Sequence, residues 1–304
     1  MLVGALVCQL LLNSNPPQFS SRMTKLTLTL AAGMLCTGVA FAQQNQSNLT
    51  QDGNRNTADV EQVGAANSSL LIQNDNTNTA LVNQTGSANA SEIQLTGGNS
   101  SVNLTQLGDR NVGISLISEA NNVASISQSG DDNSARQELD APDSEASIFV
   151  DGSSNLTVQM MSGVGNNVAS IAISGSENTA TQDVSGENSR SYVTISGNSS
   201  LAVTQQSGVS NNVSILQEMG DNNSAVVAQN GNNNFAGGEN DPQLSQTGSN
   251  NALVVSQDGD LNASTIIQVG NRNEALNAQS GNENASVINQ LGNRNAASVV
   301  QRPQ

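Results

Sequence analysis

The sequence predicts an all-β protein: a parallel β-solenoid of about eleven two-strand coils, each coil made of two 11-residue half-repeats, with no capping elements. Three observations predict it. Gln268, Gln279, Gln290 and Gln301 are spaced by eleven, and Gly and Asn follow each complete unit's Gln after two and five residues. From Asn to the next Gln, every second residue is small, apolar or an amide, which is typical of a strand with one buried face. Gly and Asn tolerate φ > 0, so the segment between them predicts a tight turn.

Two half-repeats together can form a flattened coil, although one alone cannot enclose a core. Stacked coils would pair each strand with its copies above and below at about 4.8 Å. In that register, Gln and Asn amides can hydrogen-bond their copies one coil away, and an Asn at the end of a turn can also bond the local backbone. These bonds would offset the cost of burying amides, so they permit a polar core.

The repeat can be followed from Gln51 to Gln301 through its first residue, here called the lead position. Lead positions occur every eleven residues from 51 to 161; one extra residue moves them to 173, 184, 195, 206 and 217, another to 229, and six more to 246. Of these 23 positions, 15 hold Gln and eight hold an apolar residue, including every lead from 139 to 195. Because polar substitutes are absent, the column is predicted to face inward. A mostly β-branched stripe two residues earlier, which includes Val60, Ile215 and Ile266, is predicted to face inward as well.

The residues predicted to carry ladder formation and polymerisation lie mainly in the two most regular parts of the chain. The lead residues are Gln51, Gln62, Gln73, Gln84, Gln246, Gln257, Gln268, Gln279, Gln290 and Gln301. The turn-end residues are Asn56, Asn67, Asn262, Asn273, Asn284 and Asn295, and the turn glycines are Gly53, Gly64, Gly86, Gly259, Gly270, Gly281 and Gly292. A column of Gln offers a donor and an acceptor to another subunit, so head-to-tail growth is predicted, with the Gln51–Gln84 coils of one subunit stacking on the Gln268–Gln301 coils of the next.

The first part of the chain predicts processing rather than structure. Residues 23–42 have the basic start, apolar core and Ala-Phe-Ala end of a secretory signal peptide, and residues 1–22 fit an upstream-start artefact. Residues 43–50 form a short N-terminal segment, and residues 51–304 form the solenoid, with irregular turns, as loops or joints, near 136–145 and 235–242. Cleavage after Ala42 would remove both cysteines, Arg22 and Lys25. It would leave 9 − 2 = 7 basic against 25 acidic residues, a net charge of −18, which argues against a nucleic-acid partner.

Composition argues against an ordinary globular enzyme. The 304 residues are 2% aromatic and 11% charged and include no Trp or His. Without His, and without Cys after cleavage, no catalytic group, cofactor site or metal site is predicted, and Asp131-Asp132 is interpreted as a solvated turn. Disorder is the alternative that low hydrophobicity and high charge favour, but disordered chains do not keep Val, Ile and Leu in strict register.

The tandem phrase Gln-x-Gly-x-x-Asn, present for example at 257–262 and 290–295, resembles the curlin repeat of bacterial surface fibres. The resemblance covers nearly all of 51–304. It implies a secreted amyloid subunit with a β-solenoid fold and stacked Gln and Asn ladders, exported unfolded through an outer-membrane pore. It also implies polymerisation at the bacterial cell surface into an extracellular fibre for adhesion and biofilm, with a related curlin-type subunit as partner. The chain departs from the family in having more repeats and a shorter segment before the first one.

Three other kinds of solenoid protein are alternatives to a fibre subunit. A calcium-binding β-solenoid would need Gly- and Asp-rich nonapeptides, whereas the period here is eleven. An ice-binding solenoid would need a repeated outward Thr-x-Thr, which occurs once, at 77–79. A monomeric surface adhesin would need capping elements.

Overall fold

The computed structural model describes residues 44–209, 213–237 and 244–303, without the side chains of 209, 213–215 and 217. The expected artefact at 1–22 and signal peptide at 23–42 lie outside the described residues. Within the described ranges the chain contains strands and turns and no helix.

The strands recur at the predicted interval. In chain order they are β1 (Gln46–Gln51), β2 (Thr57–Ala65), β3 (Ser68–Gln73), β4 (Thr79–Ser87), β5 (Ala90–Leu95), β6 (Ser101–Leu107), β7 (Val112–Ile117), β8 (Val123–Ser129), β9 (Ser134–Asp140), β10 (Glu145–Asp151), β11 (Leu156–Gly165), β12 (Val168–Ser174), β13 (Thr179–Glu187), β14 (Arg190–Ser196), β15 (Leu201–Val209), β16 (Val213–Met219), β17 (Ser224–Asn230), β18 (Phe235–Ala236), β19 (Leu244–Thr247), β20 (Ala252–Asp258), β21 (Ala263–Val269), β22 (Glu274–Ser280), β23 (Ala285–Leu291) and β24 (Ala296–Gln301).

Two parallel sheets face each other across the core. The first sheet has the order β1-β3-β5-β7-β9-β11-β13-β15-β17-β20-β22-β24, and the second contains β2, β4, β6, β8, β10, β12, β14, β16, β18, β19, β21 and β23. Most neighbours pair in a register of 22 residues, for example Gln84 with Gln106 and Gln257 with Gln279. The prediction of a parallel β-solenoid of about eleven coils is confirmed.

The period of two separates a buried face from an outer face. In β4, Ala80, Val82 and Gln84 are each 0–1% exposed, whereas the residues between them are partly exposed. Small, apolar and amide side chains therefore form three inward columns along each sheet. Because the two inner faces meet, the core is a thin layer of these columns rather than a cluster of large side chains.

The arcs between strands depend on left-handed backbone conformations. The fourth residue after the lead has φ near +60° in nearly every arc, whether it is Arg110, Leu261 or Glu283. The seven predicted turn glycines have φ between +96° and +123°, although Gly64 and Gly86 lie within the last residues of β2 and β4 rather than between strands. Glycine is also required by space at Gly270, because a Cβ there would lie 1.9 Å from the backbone oxygen of Gly292 in the next coil.

The segment 136–145 is more regular than the expected loop or joint. Strand β9 continues to Asp140 and pairs with both β7 and β11, and β10 starts at Glu145. Only the arc between them lacks Gly and Asn. It still places Asp143 at φ 54° and bonds Ser144 N to Asn122 Oδ1 at 2.8 Å, since the neighbouring arcs fix its path.

The insertion near 235–242 falls inside a strand rather than in a turn. The short strand β18 pairs with Val213 and Ser214 at the start of β16, and β19 pairs with its end, from Leu216 onward. The insertion thus divides one strand of the second sheet into two segments, with residues 238–243 outside the described ranges.

The structure corrects the predicted frame at one lead position. Ile195 pairs with Glu218 rather than with Gln217, and Glu218 pairs in turn with Gln246. Leu216 consequently takes the inward stripe position that was predicted for Ile215. These registers place the extra residue in the chain between β15 and β16 rather than after β16.

Candidate functional site

The lead glutamines form hydrogen-bonded columns inside both sheets. Gln84 is completely buried, and its Nε2 donates to Gln106 Oε1 at 2.8 Å and to the Ser68 carbonyl of the facing strand at 3.1 Å. Amide-to-amide bonds of 2.6–2.9 Å repeat this step between Gln51 and Gln73, Gln62 and Gln84, Gln106 and Gln128, Gln206 and Gln229, Gln229 and Gln257, Gln246 and Gln268, Gln257 and Gln279, Gln268 and Gln290, and Gln279 and Gln301. Each step compensates a desolvated amide.

The turn-end asparagines bond mainly to the backbone of the following coil. Asn67 Oδ1 accepts from Asn89 N at 3.0 Å, and its Nδ2 donates to Gly86 O at 2.9 Å. Asn56, Asn262 and Asn273 make the same two kinds of contact with the arc ahead. The asparagine column therefore fixes the spacing of consecutive arcs, because one side chain bridges a donor and an acceptor of the next backbone.

The last two predicted asparagines have different partners. Asn284 Nδ2 donates backward to Asn262 Oδ1 at 2.9 Å, and Asn295 Nδ2 donates to the Leu291 carbonyl of its own arc at 3.2 Å. The described residues provide no arc ahead of either. Their forward contacts are thus left for another group.

A second amide ladder in the first sheet was missed by the sequence reasoning. Gln137 Nε2 donates to Gln159 Oε1 at 2.9 Å, and Gln159 Nε2 donates to Gln182 Oε1 at 2.8 Å. These residues occupy the inward stripe, two residues before the lead positions Leu139, Met161 and Val184. In these three strands the amide and the aliphatic residue have exchanged columns, and the sequence signal for the exchange was the Gln that precedes each of these three leads by two residues.

Glu218 is an exception within the inward columns. It is completely buried on β16, and neither carboxyl oxygen has a hydrogen-bond partner. Burial raises the pKa of Glu218 to about 8. Gln246 Oε1, one coil ahead in the same column, also lacks a donor.

The outer surface carries an ion pair between consecutive arcs. Arg110 forms a two-pronged ion pair with Asp132 of the next coil, with both nitrogen-to-oxygen distances 2.6 Å. The Arg110 guanidinium donates hydrogen bonds to the ionised Asp132 carboxylate and so lowers the pKa of Asp132. Both side chains are exposed, so this pair contributes little to stability.

The described residues hold no group of three His, Cys, Asp or Glu side chains placed to bind a metal ion. No helix long and apolar enough to cross a bilayer occurs in the described ranges.

Comparison with protein families matches residues 53–86 to the curlin associated repeat. The matched segment contains Gly53, Asn56, Gln62, Gly64 and Asn67, which lie in the columns described above. A comparison with curated proteins gives no significant match.

Proposed function

We propose that this chain, of which residues 53–86 match the curlin associated repeat, is a curli-like structural subunit that polymerises into an extracellular amyloid fibre. Coils of successive copies would stack in register, as coils do within one chain. The fibre would be exported and assembled at the bacterial cell surface for adhesion and biofilm formation, with a related curlin-type subunit as a second partner.

The observation that carries the proposal is that the Gln columns are open at both edges of the described stack. At one edge, Gln290 and Gln301 each donate to a backbone carbonyl and have no described Gln ahead of them. At the other, Gln51 and Gln62 donate to the next coil, and no described Gln donates to them. Donors at one edge match acceptors at the other, which supports head-to-tail stacking.

The edge strands support the same arrangement. Within the described ranges, β1 and β2 each pair with one strand, as do β23 and β24. Leu49, Val60 and Val299 are only partly buried, whereas Leu71 and Val82 in the next coils are completely buried. Unpaired strand edges recruit further strands, and repeat proteins that remain monomeric cover them with polar caps.

Fibre diffraction of the purified protein tests the proposal. We expect a sharp meridional reflection near 4.8 Å, because strands would lie perpendicular to the fibre axis. A monodisperse monomer that gives no such reflection would instead support the adhesin alternative.

A further inference from the structure

Glu218 occupies a position in which every other described residue is an amide or an aliphatic side chain. Its column in the second sheet runs through Ile195 before it and Gln246 after it. Among the described residues, Glu218 is the one charged side chain that is buried. A buried carboxylate without a counter-ion or donor is costly, so the protein's preferred form at this position is the neutral acid.

The missing hydrogen bond shows what the neutral acid would do. In each Gln-to-Gln step, an Nε2 hydrogen reaches the Oε1 of the next coil, as from Gln246 to Gln268 at 2.9 Å. Gln246 Oε1 has no such donor from Glu218. A carboxylate has no hydrogen to give, but a carboxylic acid has one O–H.

No charged side chain on the strands packed around β16 faces Glu218. Strands β15, β17, β18 and β19 carry no titratable side chain. On β14, Arg190 and Tyr192 alternate with the buried Ser191, Val193 and Ile195, so both occupy outward positions.

We propose that Glu218 is a protonation-dependent contact that, as the neutral acid, donates to Gln246 Oε1 and links the coil of β16 to the next coil. Ionisation releases the proton to solvent and leaves a carboxylate facing an amide oxygen. The link lies where the insertion divides the next strand of the sheet into two short strands, β18 and β19. The proposal concerns the fold of one chain and holds whether or not the chain forms fibres.

The direction of the pH dependence follows from the raised pKa of Glu218, about 8 against an ordinary 4.5. The folded state binds the proton more tightly than the unfolded state. The contribution of Glu218 to stability is therefore complete below its ordinary pKa, and it is lost as pH rises through about 8.

Hydrogen exchange of the full chain, read by mass spectrometry and corrected for intrinsic rates, tests the link. Between about pH 5 and about pH 9, protection of β16, β19 and β21 should fall at least about ten-fold. Glu218→Gln should abolish the fall, since a glutamine there can donate at any pH. The exposed Glu274 on the outer face of β22 provides the control, because Glu274→Gln should keep the wild-type pH dependence.

Glu218→Ile is a second variant, which removes the charge with a residue that the column already holds at Ile195. This variant should also show no fall in protection between about pH 5 and about pH 9. If Glu218→Gln does not fold, Glu218→Ile alone tests whether Glu218 causes the pH dependence. An infrared band of a protonated carboxyl near neutral pH, lost in both variants, is the independent readout. The proposal is overturned if wild-type protection shows no pH dependence, or if a folded Glu218 variant keeps it.

Discussion

At the scale of single residues, many arcs hold a residue other than glycine or asparagine in the left-handed conformation, which those two residues adopt most easily. Leu261 has φ 59° and is 51% exposed, so no packing against the core explains its presence. Its backbone N–H is held by Asn232 O at 2.9 Å in the preceding coil. The stacked arcs thus impose the left-handed conformation, and the strain of each non-glycine residue is offset by bonds to neighbouring coils.

Replacing Leu261 with asparagine should therefore stabilise the chain. Asparagine enters the left-handed region more easily than leucine, so we expect the free energy of unfolding to rise by about 1 kcal/mol. Denaturant titration measures the change. Leu276→Asn is the control, because Leu276 is similarly exposed on β22 but has no positive φ. A gain at both positions would attribute the effect to surface polarity instead of backbone strain.

At the scale of elements, most strands place an amide or an aliphatic side chain at each of two inward positions, the stripe and the lead, and the two residue types can exchange positions. In β9, β11 and β13 the amide occupies the stripe and the aliphatic residue the lead. The amide stays in the same column over these three consecutive strands, because a buried amide needs another amide one coil away as its hydrogen-bond partner. The ladder therefore belongs to a set of consecutive strands, not to one repeat.

Gln159→Leu should destabilise the chain by roughly 1–3 kcal/mol, because it leaves Gln182 Oε1 without its donor and removes the acceptor of Gln137. Thermal or denaturant unfolding measures the loss. Met161→Leu, at the next inward position of β11, keeps the volume and breaks no hydrogen bond, so it should cost less than about 1.5 kcal/mol. Equal losses would mean that packing, not the second ladder, sets the stability of this region.

At the scale of the whole molecule, two regions with Gln at the lead positions enclose a middle region in which aliphatic leads prevail. In the second sheet, Val150, Ile173, Ile195 and Glu218 separate the column ending at Gln128 from the one starting at Gln246. Each coil contacts mainly its two neighbours, so the properties of an edge depend on the coils nearest to it.

Two glycines distinguish an interior arc from an edge arc. A Cβ at Gly270 would lie 1.9 Å from Gly292 O, whereas a Cβ at Gly292 would have Asn295 Nδ2 at 3.6 Å as its nearest neighbour. Both positions have φ above +100°, so both alanine variants are strained. In the isolated chain, Gly270→Ala should cost more than Gly292→Ala, as measured by unfolding.

In a head-to-tail fibre, Gly292→Ala should also prevent elongation, because its Cβ would meet the backbone of the next copy. Seeded growth followed by light scattering measures this. Leu291→Ala is the control, since Leu291 is 70% exposed on the outer face and should leave the growth rate unchanged. Normal elongation of Gly292→Ala fibres would contradict in-register stacking at this edge.

The sequence by itself determined the solenoid and most inward columns, because a period of eleven combined with a period of two assigns each residue a face. It did not determine every strand boundary: β1 starts at Gln46, inside the predicted N-terminal segment 43–50, and β2 and β4 extend past Gly64 and Gly86.

Tertiary structure decided the register at one of the places where the spacing changed. Across the extra residue after Gln206, either Gln217 or Glu218 could face inward. The arc that follows β16 fixes Glu218 as the inward residue. With Glu218 as the lead, Gly220, Asn222 and Asn223 stand two, four and five residues after it, as the corresponding residues do in neighbouring arcs. The similar twelve-residue segments 162–173 and 207–218 were a sequence signal for that choice.

Tertiary structure also decided where the insertion near 235–242 falls, and it shows that the inward amides of β9, β11 and β13 form a ladder. Local periodicity places Gln159 on the inner face, but only the adjacent Gln137 and Gln182 make it a ladder residue. The regular arc around Asp143, without Gly or Asn, was likewise not predictable from local turn chemistry. The physical reason is common to these cases: the bonds that fix a residue join it to a coil 22 or more residues away, and no local pattern contains both partners.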